Sequence, residues 1–278
     1  MTEPNRQSGE NEERIIEIEI ERLRPFKEHP FQVKDDKEMF LLQESIEKYG
    51  ILNPLIVRPV PDGYYEIISG HRRKHAAEKL GYRKVPVIIR VLSEDDSILS
   101  MVDSNLHRER ISYSEKAFAY KLKNDVLKRK SGRKKSQVDH KKPRKRSIDI
   151  ISENCGDSPK QVQRYISLTK LIPEMLQKLD DEIISFCPAV EIAALKENEQ
   201  RELLKAMDYA QAIPSLSQAQ RIKQLSKEKQ LSLEKMEEIM ELCPDISKVT
   251  VERILTNLVK SGYIAKVGAG LSTGYVRI

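Results

Sequence analysis

The sequence predicts an α+β protein: a small α/β domain at the N-terminus, a mainly helical middle, and a C-terminal helix with a short β-hairpin. Three observations predict it. Short apolar runs alternate with helical patterns from Ile15 to about Val91; the pattern is helical from Ser93 to roughly Lys229; and beyond Ser247 a helical stripe gives way to two short strands among glycines. The expected organisation is a disordered tail over residues 1–14, an α/β domain over 15–110, a helical domain over 111–230 carrying a basic loop at 128–146, and a C-terminal segment over 231–278.

IIEIEI, from Ile15, alternates apolar and acidic residues as a half-buried strand does. EMFLLQESIEKYG has helical spacing and closes on Gly50, where a helix-ending glycine sits. LIVRPV and YYEIIS read as strands, and Asp62-Gly63 between them is a hairpin signal, so they should be antiparallel neighbours. HRRKHAAEKLG predicts a second helix, closed by Gly81, and VPVIIRV a further strand.

Ser112 and Glu115 have the spacing of a capping box and open SEKAFAYKLKNDVL, with Phe118, Ala119, Leu122 and Val126 as its inward stripe. KRKSGRKKSQVDHKKPRKR then lacks apolar periodicity and is expected to be a flexible loop. SIDIISENCGDSPKQVQRYISLTKL holds two short amphipathic helices around a glycine turn, with Ser158 as N-cap and Pro159 in the first helical position of the second. That is the spacing of a helix-turn-helix, which helical hairpins that touch no DNA share; the basic loop upstream favours DNA. In the DNA reading Val162 and Ile166 face inward and Lys160, Gln161, Gln163 and Arg164 project outward, Gln and Arg being able to read base edges bidentately. Lys134, Lys135, Arg144, Lys145 and Arg146 of the loop are the further candidate DNA contacts.

At the C-terminus, Val251, Ile254, Leu255 and Leu258 line a helix before the strands YIAKV and GYVRI. Helix and glycine-rich hairpin resemble the recognition helix and wing of a winged-helix module; the alternative is a small cap on a neighbouring domain or second subunit.

Composition narrows the class. Charged residues make up 33% of the 278, aromatics 5%, and tryptophan is absent, which suits surface-rich helices. No apolar run reaches the length of about 18 residues that a membrane span needs, and the first residues lack the pattern of a signal peptide, so a cytoplasmic protein is expected. Cys155, Cys187 and Cys243 are widely spaced and argue for reduced, mostly buried thiols rather than a zinc site or disulfide framework. Residues 128–146 hold eleven Lys or Arg and one Asp, a net +10 in a chain whose formal total is +6, so the remainder is acidic. A localised basic patch of this kind suits a polyanion contact.

SGHRR, residues 69–73, lies where a strand gives way to a helix. Glycine there allows close backbone approach, and the helix start offers unpaired N–H groups with partial positive charge. Arg72 and Arg73 in the first turn oppose the helix dipole, a mismatch that an anion would repair. The competing reading is a turn followed by a solvated basic helix. His71 and His75, one turn apart, have no third ligand in view and read as part of a basic face rather than as a metal pair.

SGHRRKHAAEKLG resembles the GERRxxAA segment of the ParB partition-protein family; GILNP, from Gly50, resembles its G-x-x-x-P turn, and SNLHRE, from Ser104, its ENxxRE segment. The three motifs fall in family order ahead of the helix pair, and the resemblance covers about Ile15 to Lys229. It implies a ParB/sulfiredoxin-like N-terminal domain that binds CTP with magnesium, a helix-turn-helix on a palindromic duplex, a homodimer, and a ParA-type partner ATPase. By position, Gly70, His71, Arg72 and Arg73 would hold phosphates, Asn105 would lie at the metal, Arg108 by the triphosphate, and Gly50, Leu52 and Asn53 against the nucleotide. His71 and Ser104 stand where the family commonly has glutamate, which weakens magnesium binding and points to weak or absent CTP hydrolysis. The chain also ends in the helix-and-hairpin segment instead of the family's dimerisation domain, and its long basic loop suggests a plasmid or mobile-element branch associated with nucleoid or plasmid DNA.

Two further classes stand beside this one. A phosphotransferase or nuclease on the same fold would need carboxylates near the phosphates, Glu66, Asp103 and Glu109 being nearest in sequence; sulfiredoxin chemistry is excluded because no cysteine precedes Cys155. A transcriptional repressor would use the DNA-binding modules alone.

Overall fold

The computed structural model describes residues 14–27, 30, 31, 33, 35–106, 111–133, 145–241, 255–267 and 274–277. The chain divides into two compact units, residues 1–169 and 170–278.

The first unit contains, in chain order, β1 (Ile15–Glu19), β2 (Leu23–Pro25), α1 (Lys37–Tyr49), β3 (Leu55–Pro59), β4 (Tyr65–Ser69), α2 (His71–Lys79), β5 (Lys84–Ile89), α3 (Glu94–Leu106), α4 (Tyr113–Arg133), α5 (Ser147–Cys155) and α6 (Pro159–Leu168). Its five strands lie in the order β1-β5-β3-β4-β2. β3 and β4 form the expected antiparallel hairpin, closed by a tight turn in which Asp62 and Gly63 both take positive φ. β5 lies parallel to β3 and antiparallel to β1. β2 is too short to show a period in the sequence; it pairs parallel with β4 at the sheet edge, where its proline is tolerated.

Successive side chains on a strand point to opposite faces, and β4 shows the consequence. Ile67 packs with Leu55, Val57, Val85, Val87 and Ala77 on one face, while Ile68 packs with Ile98, Met101, Val102, Ala119 and Val126 on the other. Helices thus cover both faces. Ala76 and Ala77 of α2 are fully buried, so α2 sits close against the sheet that presents Gly70.

α4 opens on the expected reciprocal cap: the Glu115 N–H donates to Ser112 Oγ and the Ser112 N–H to the Glu115 carboxylate, both at 3.2 Å. It runs to Arg133, so residues 128–133 of the expected basic loop are helical. Phe118, placed in the inward stripe from its spacing, is 38% exposed. α4 instead buries Ala119, Lys123 and Val126 along with Ala117, Tyr120 and Asn124, because it packs on α3, α5 and α6. Lys123 is 2% exposed and reaches Asp103 of α3 at 2.5 Å.

The second unit comprises α7 (Pro173–Asp180), α8 (Phe186–Ile192), α9 (Glu197–Ala210), α10 (Leu216–Lys227) and α11 (Leu233–Glu241), a helical stretch at 255–260, and the antiparallel hairpin of β6 (Ile264–Val267) and β7 (Gly274–Arg277). Val251 and Ile254 lie outside the described residues; Leu255 and Leu258 are half-buried. Among the described residues no helix is long and apolar enough to cross a membrane.

Candidate functional site

Gly70 follows β4 and is the N-cap of α2, with φ +108°, a conformation that L side chains rarely adopt. A Cβ there would lie 2.8 Å from Leu55 Cγ. Position 70 therefore demands glycine on two grounds. With no side chain at its N-cap and no acidic residue in its first turn, α2 leaves its positive end to be answered by something else.

The two arginines diverge. Arg73 turns toward the GILNP turn, where its Nη1 donates to the main-chain oxygens of Asn53 and, at 2.8 Å, of Pro54. This brings together two of the three segments singled out in the sequence. Gly50 ends α1 at φ +71°, and Leu52, in the following turn, is 75% exposed. Arg72 turns toward the start of α1: Nη2 meets Asp36 Oδ1 at 3.0 Å and Nη1 meets Glu38 Oε2 at 3.5 Å. Asp36 is also the N-cap of α1, accepting the Met39 N–H at 2.8 Å. That N–H, with the Arg72 guanidinium, holds the Asp36 carboxyl below its ordinary range.

His71 is 9% exposed, whereas His75 faces Asp35 at 3.0 Å, an ion pair when the ring is protonated. The two histidines thus sit in different surroundings, one buried and one paired with a carboxylate, and the described residues contain no group of three or more His, Cys, Asp or Glu that could hold an ion.

The described part of the third segment, Ser104 to Leu106, ends α3, which packs against β4. Asn105 is 2% exposed; its Nδ2 donates to Met101 O at 2.8 Å, and its Oδ1 has no hydrogen-bond partner among the described residues. A buried acceptor left in that state costs on the order of 1–3 kcal/mol, which a bound cation or donor would recover. Ser104 Oγ donates to Met101 O at 2.9 Å. Arg108 lies outside the described residues.

The helix pair meets the unit through Asp157. Its carboxylate accepts the Tyr120 hydroxyl at 2.6 Å and pairs with Lys116 at 2.7 Å, and its main-chain oxygen accepts Ser152 Oγ at 2.7 Å. Burial works against the Asp157 carboxylate, but Lys116 and Tyr120 outweigh it and leave the group below its ordinary range. Burial, followed by Asp157, pushes the Tyr120 hydroxyl upward. Tyr165 stacks on Tyr113 and meets Tyr120 edge-on, with Lys116 4.7 Å from its ring centroid. The interior of α6 is therefore built from Val162, Tyr165 and Leu168; Ile166, expected inward, is only half-buried. As expected, Ser158 caps α6, accepting the Gln161 N–H at 3.2 Å.

Lys160 and Gln163 are exposed, and Gln161 and Arg164 half-buried. Lys145 and Arg146, expected as loop contacts, pair with Glu153 at 2.6 Å and Asp149 at 3.0 Å of α5. Lys134, Lys135 and Arg144 lie outside the described residues.

Residues 4–106 match the family described as ParB N-terminal domain. The match covers the sheet and the helices that flank it, so this part of the chain is similar to ParB N-terminal domains. The nucleoid occlusion protein of Lysinibacillus sphaericus is 26% identical over 266 residues, 91% of this chain and 82% of that one. That of Bacillus mycoides is 36% identical over 136 residues, so the match spans about half of each protein, 46% of this chain and 47% of the relative. The truncated chromosome-partitioning protein ParB of Caulobacter crescentus is similar in two solved forms. Its complex with the centromeric parS site has 24% identity, a TM-score of 0.44, and coverage of 81% of this chain and 98% of that one. Its CTP-γ-S complex has 27% identity, a TM-score of 0.32, and coverage of 65% and 92%. The three motif segments read from the sequence begin within the matched ParB N-terminal region, which ends at residue 106.

Proposed function

We propose that this chain is a nucleotide-regulated, sequence-specific DNA-binding protein of chromosome, plasmid or mobile-element partition or nucleoid occlusion. CTP would bind at the start of α2, and α5–α6 would act as the DNA-reading helix-turn-helix. The observation that carries the nucleotide reading is the Arg73 tie between α2 and the Asn53-Pro54 turn, which sets a glycine-opened helix start beside an exposed loop. Main-chain N–H groups at Gly70 and His71 and the fork of Arg72 would hold phosphate oxygens, and Leu52 and Asn53 would lie against the rest of the nucleotide. Arg108 would reach the triphosphate.

Magnesium fits one feature of this site, the buried Asn105 Oδ1 acceptor. Magnesium commonly keeps several waters and needs few protein ligands, so one such acceptor is compatible with it. When bound, the ion would supply positive charge against the phosphates, and Asn105 is the residue that would hold it. His71 and Ser104 supply no carboxylate to orient an attacking water, so slow or absent turnover is expected. Of the three carboxylates that an enzyme reading would recruit, Glu66 pairs with Arg58 at 2.5 Å and Asp103 with Lys123, and Glu109 lies outside the described residues.

On DNA, Lys160, Gln161, Gln163 and Arg164 would approach a major groove, with the basic residues of 128–146 on phosphates. A palindromic site would engage a homodimer, placing the protein at the nucleoid or on a plasmid, with a ParA-type ATPase as partner. The test of the nucleotide site is calorimetry with CTP and magnesium: the wild type binds and Arg73→Ala does not, whereas equal binding by the variant sinks the assignment. For DNA, selection from random duplexes should return one palindrome, bound more weakly as salt rises; recovery without sequence preference sinks the helix-turn-helix reading.

A further inference from the structure

The basic face of α2 is already matched by carboxylates of this same chain. Arg72, His75 and Lys79 recur at helical spacing along one side, and the segment leading into α1 answers them. Asp36 and Glu38 hold Arg72, and Asp35 holds His75 at 3.0 Å and Lys79 at 2.7 Å. Both terminal nitrogens of the Arg72 guanidinium are thereby turned to carboxylate oxygens, the geometry that the fork would offer a phosphate.

We propose that Asp36 is an affinity-setting residue of the nucleotide site: its carboxylate stands in for a phosphate on Arg72, and a polyphosphate must displace it to bind. The inference rests on the nucleotide reading above. A polyphosphate brought against Arg72 also meets the negative charge of Asp36 and Glu38, so the three anions compete for one guanidinium. The Arg72 and Asp36 side chains are 23% and 43% exposed, so the pair is partly solvated and can be exchanged for a more highly charged partner. Release has a structural address, because Asp36 caps α1, and the same helix ends at Gly50, the first residue of the turn that Arg73 holds. The helix thus carries the competitor at one end and the nucleotide turn at the other.

Asparagine is as good an N-cap as aspartate, so Asp36→Asn removes the charge and keeps the cap. In calorimetry on the full chain with CTP and magnesium at low salt, Asp36→Asn should tighten binding by about twofold to fivefold, the worth of a partly exposed ion pair. Asp35→Asn removes an equal charge that does not touch Arg72 and should leave the affinity unchanged. Unchanged or weaker binding by Asp36→Asn overturns the proposal. So does an equal gain from Asp35→Asn, since the effect would then be the general field of the segment. Asp36→Ser, which also caps, replaces the first variant if that one does not fold. If the wild type binds inorganic triphosphate but not CTP, the nucleotide reading fails while the same comparison, run with triphosphate, still decides the competition. Binding of neither probe overturns both.

Discussion

Two helices of the first unit begin just after a positive-φ glycine, and they begin in opposite ways. α6 is capped by Ser158 two residues beyond Gly156, has proline in its first position, and is pinned at Asp157 by two side chains of α4. α2 starts directly on Gly70, has no side-chain cap, carries two arginines in its first turn, and borrows its acidic partners from the start of α1. The difference teaches how a helix start comes to depend on groups from outside it. A helix start that satisfies itself can spend its outward side chains on a surface, whereas one that does not must draw its partners from elsewhere in the chain, as α2 draws on Asp36 and Glu38.

Gly70→Ala tests the contrast most severely. The variant carries both the positive φ and the 2.8 Å approach to Leu55, and should lose about 2–4 kcal/mol of stability in urea unfolding. Gly156 also has positive φ, but a Cβ there meets nothing within 4 Å, so Gly156→Ala should cost distinctly less. Equal losses would erase the distinction between the two turns. Removing the self-made cap is milder: Ser158→Ala should cost about 1 kcal/mol in the same measurement, without changing any nucleotide affinity.

The smallest effect concerns pH. Asp157 has a folded-state pKa below its unfolded value of about 3.9, so its contribution is complete above that pH and is lost as the pH falls through the folded value. Urea midpoints taken from neutral pH into the acid range should therefore fall more steeply for the wild type than for Asp157→Asn. Parallel curves would mean that Lys116 and Tyr120 do not hold the turn through charge.

The local parts of this architecture were legible in the sequence because local chemistry dictates them. The Asp62-Gly63 hairpin, the Ser112–Glu115 reciprocal cap, the Ser158-Pro159 helix start and the glycine helix ends all depend on residues within a few positions of one another. The pairings that define the site do not. Arg72 finds Asp36 across 36 positions, Lys123 finds Asp103 across 20, and Tyr120 finds Asp157 across 37. No periodicity encodes such partners, and Lys123 reads as surface until α3 and α4 are packed together. Phe118 shows the converse error: its spacing fitted an inward stripe, but α4 packs on neighbours on more than one side, and this residue falls between them. The position of SGHRR was readable, but the direction of each arginine was not.

The tie from Arg73 runs to main-chain oxygens, which every residue type supplies. The spacing between the turn and α2 is accordingly independent of which side chains occupy positions 52 and 53. The frame set by that tie and the surface that the turn presents are therefore separable traits. Substitution in the turn can redraw the surface shown to a ligand while the frame that presents it stays as it is.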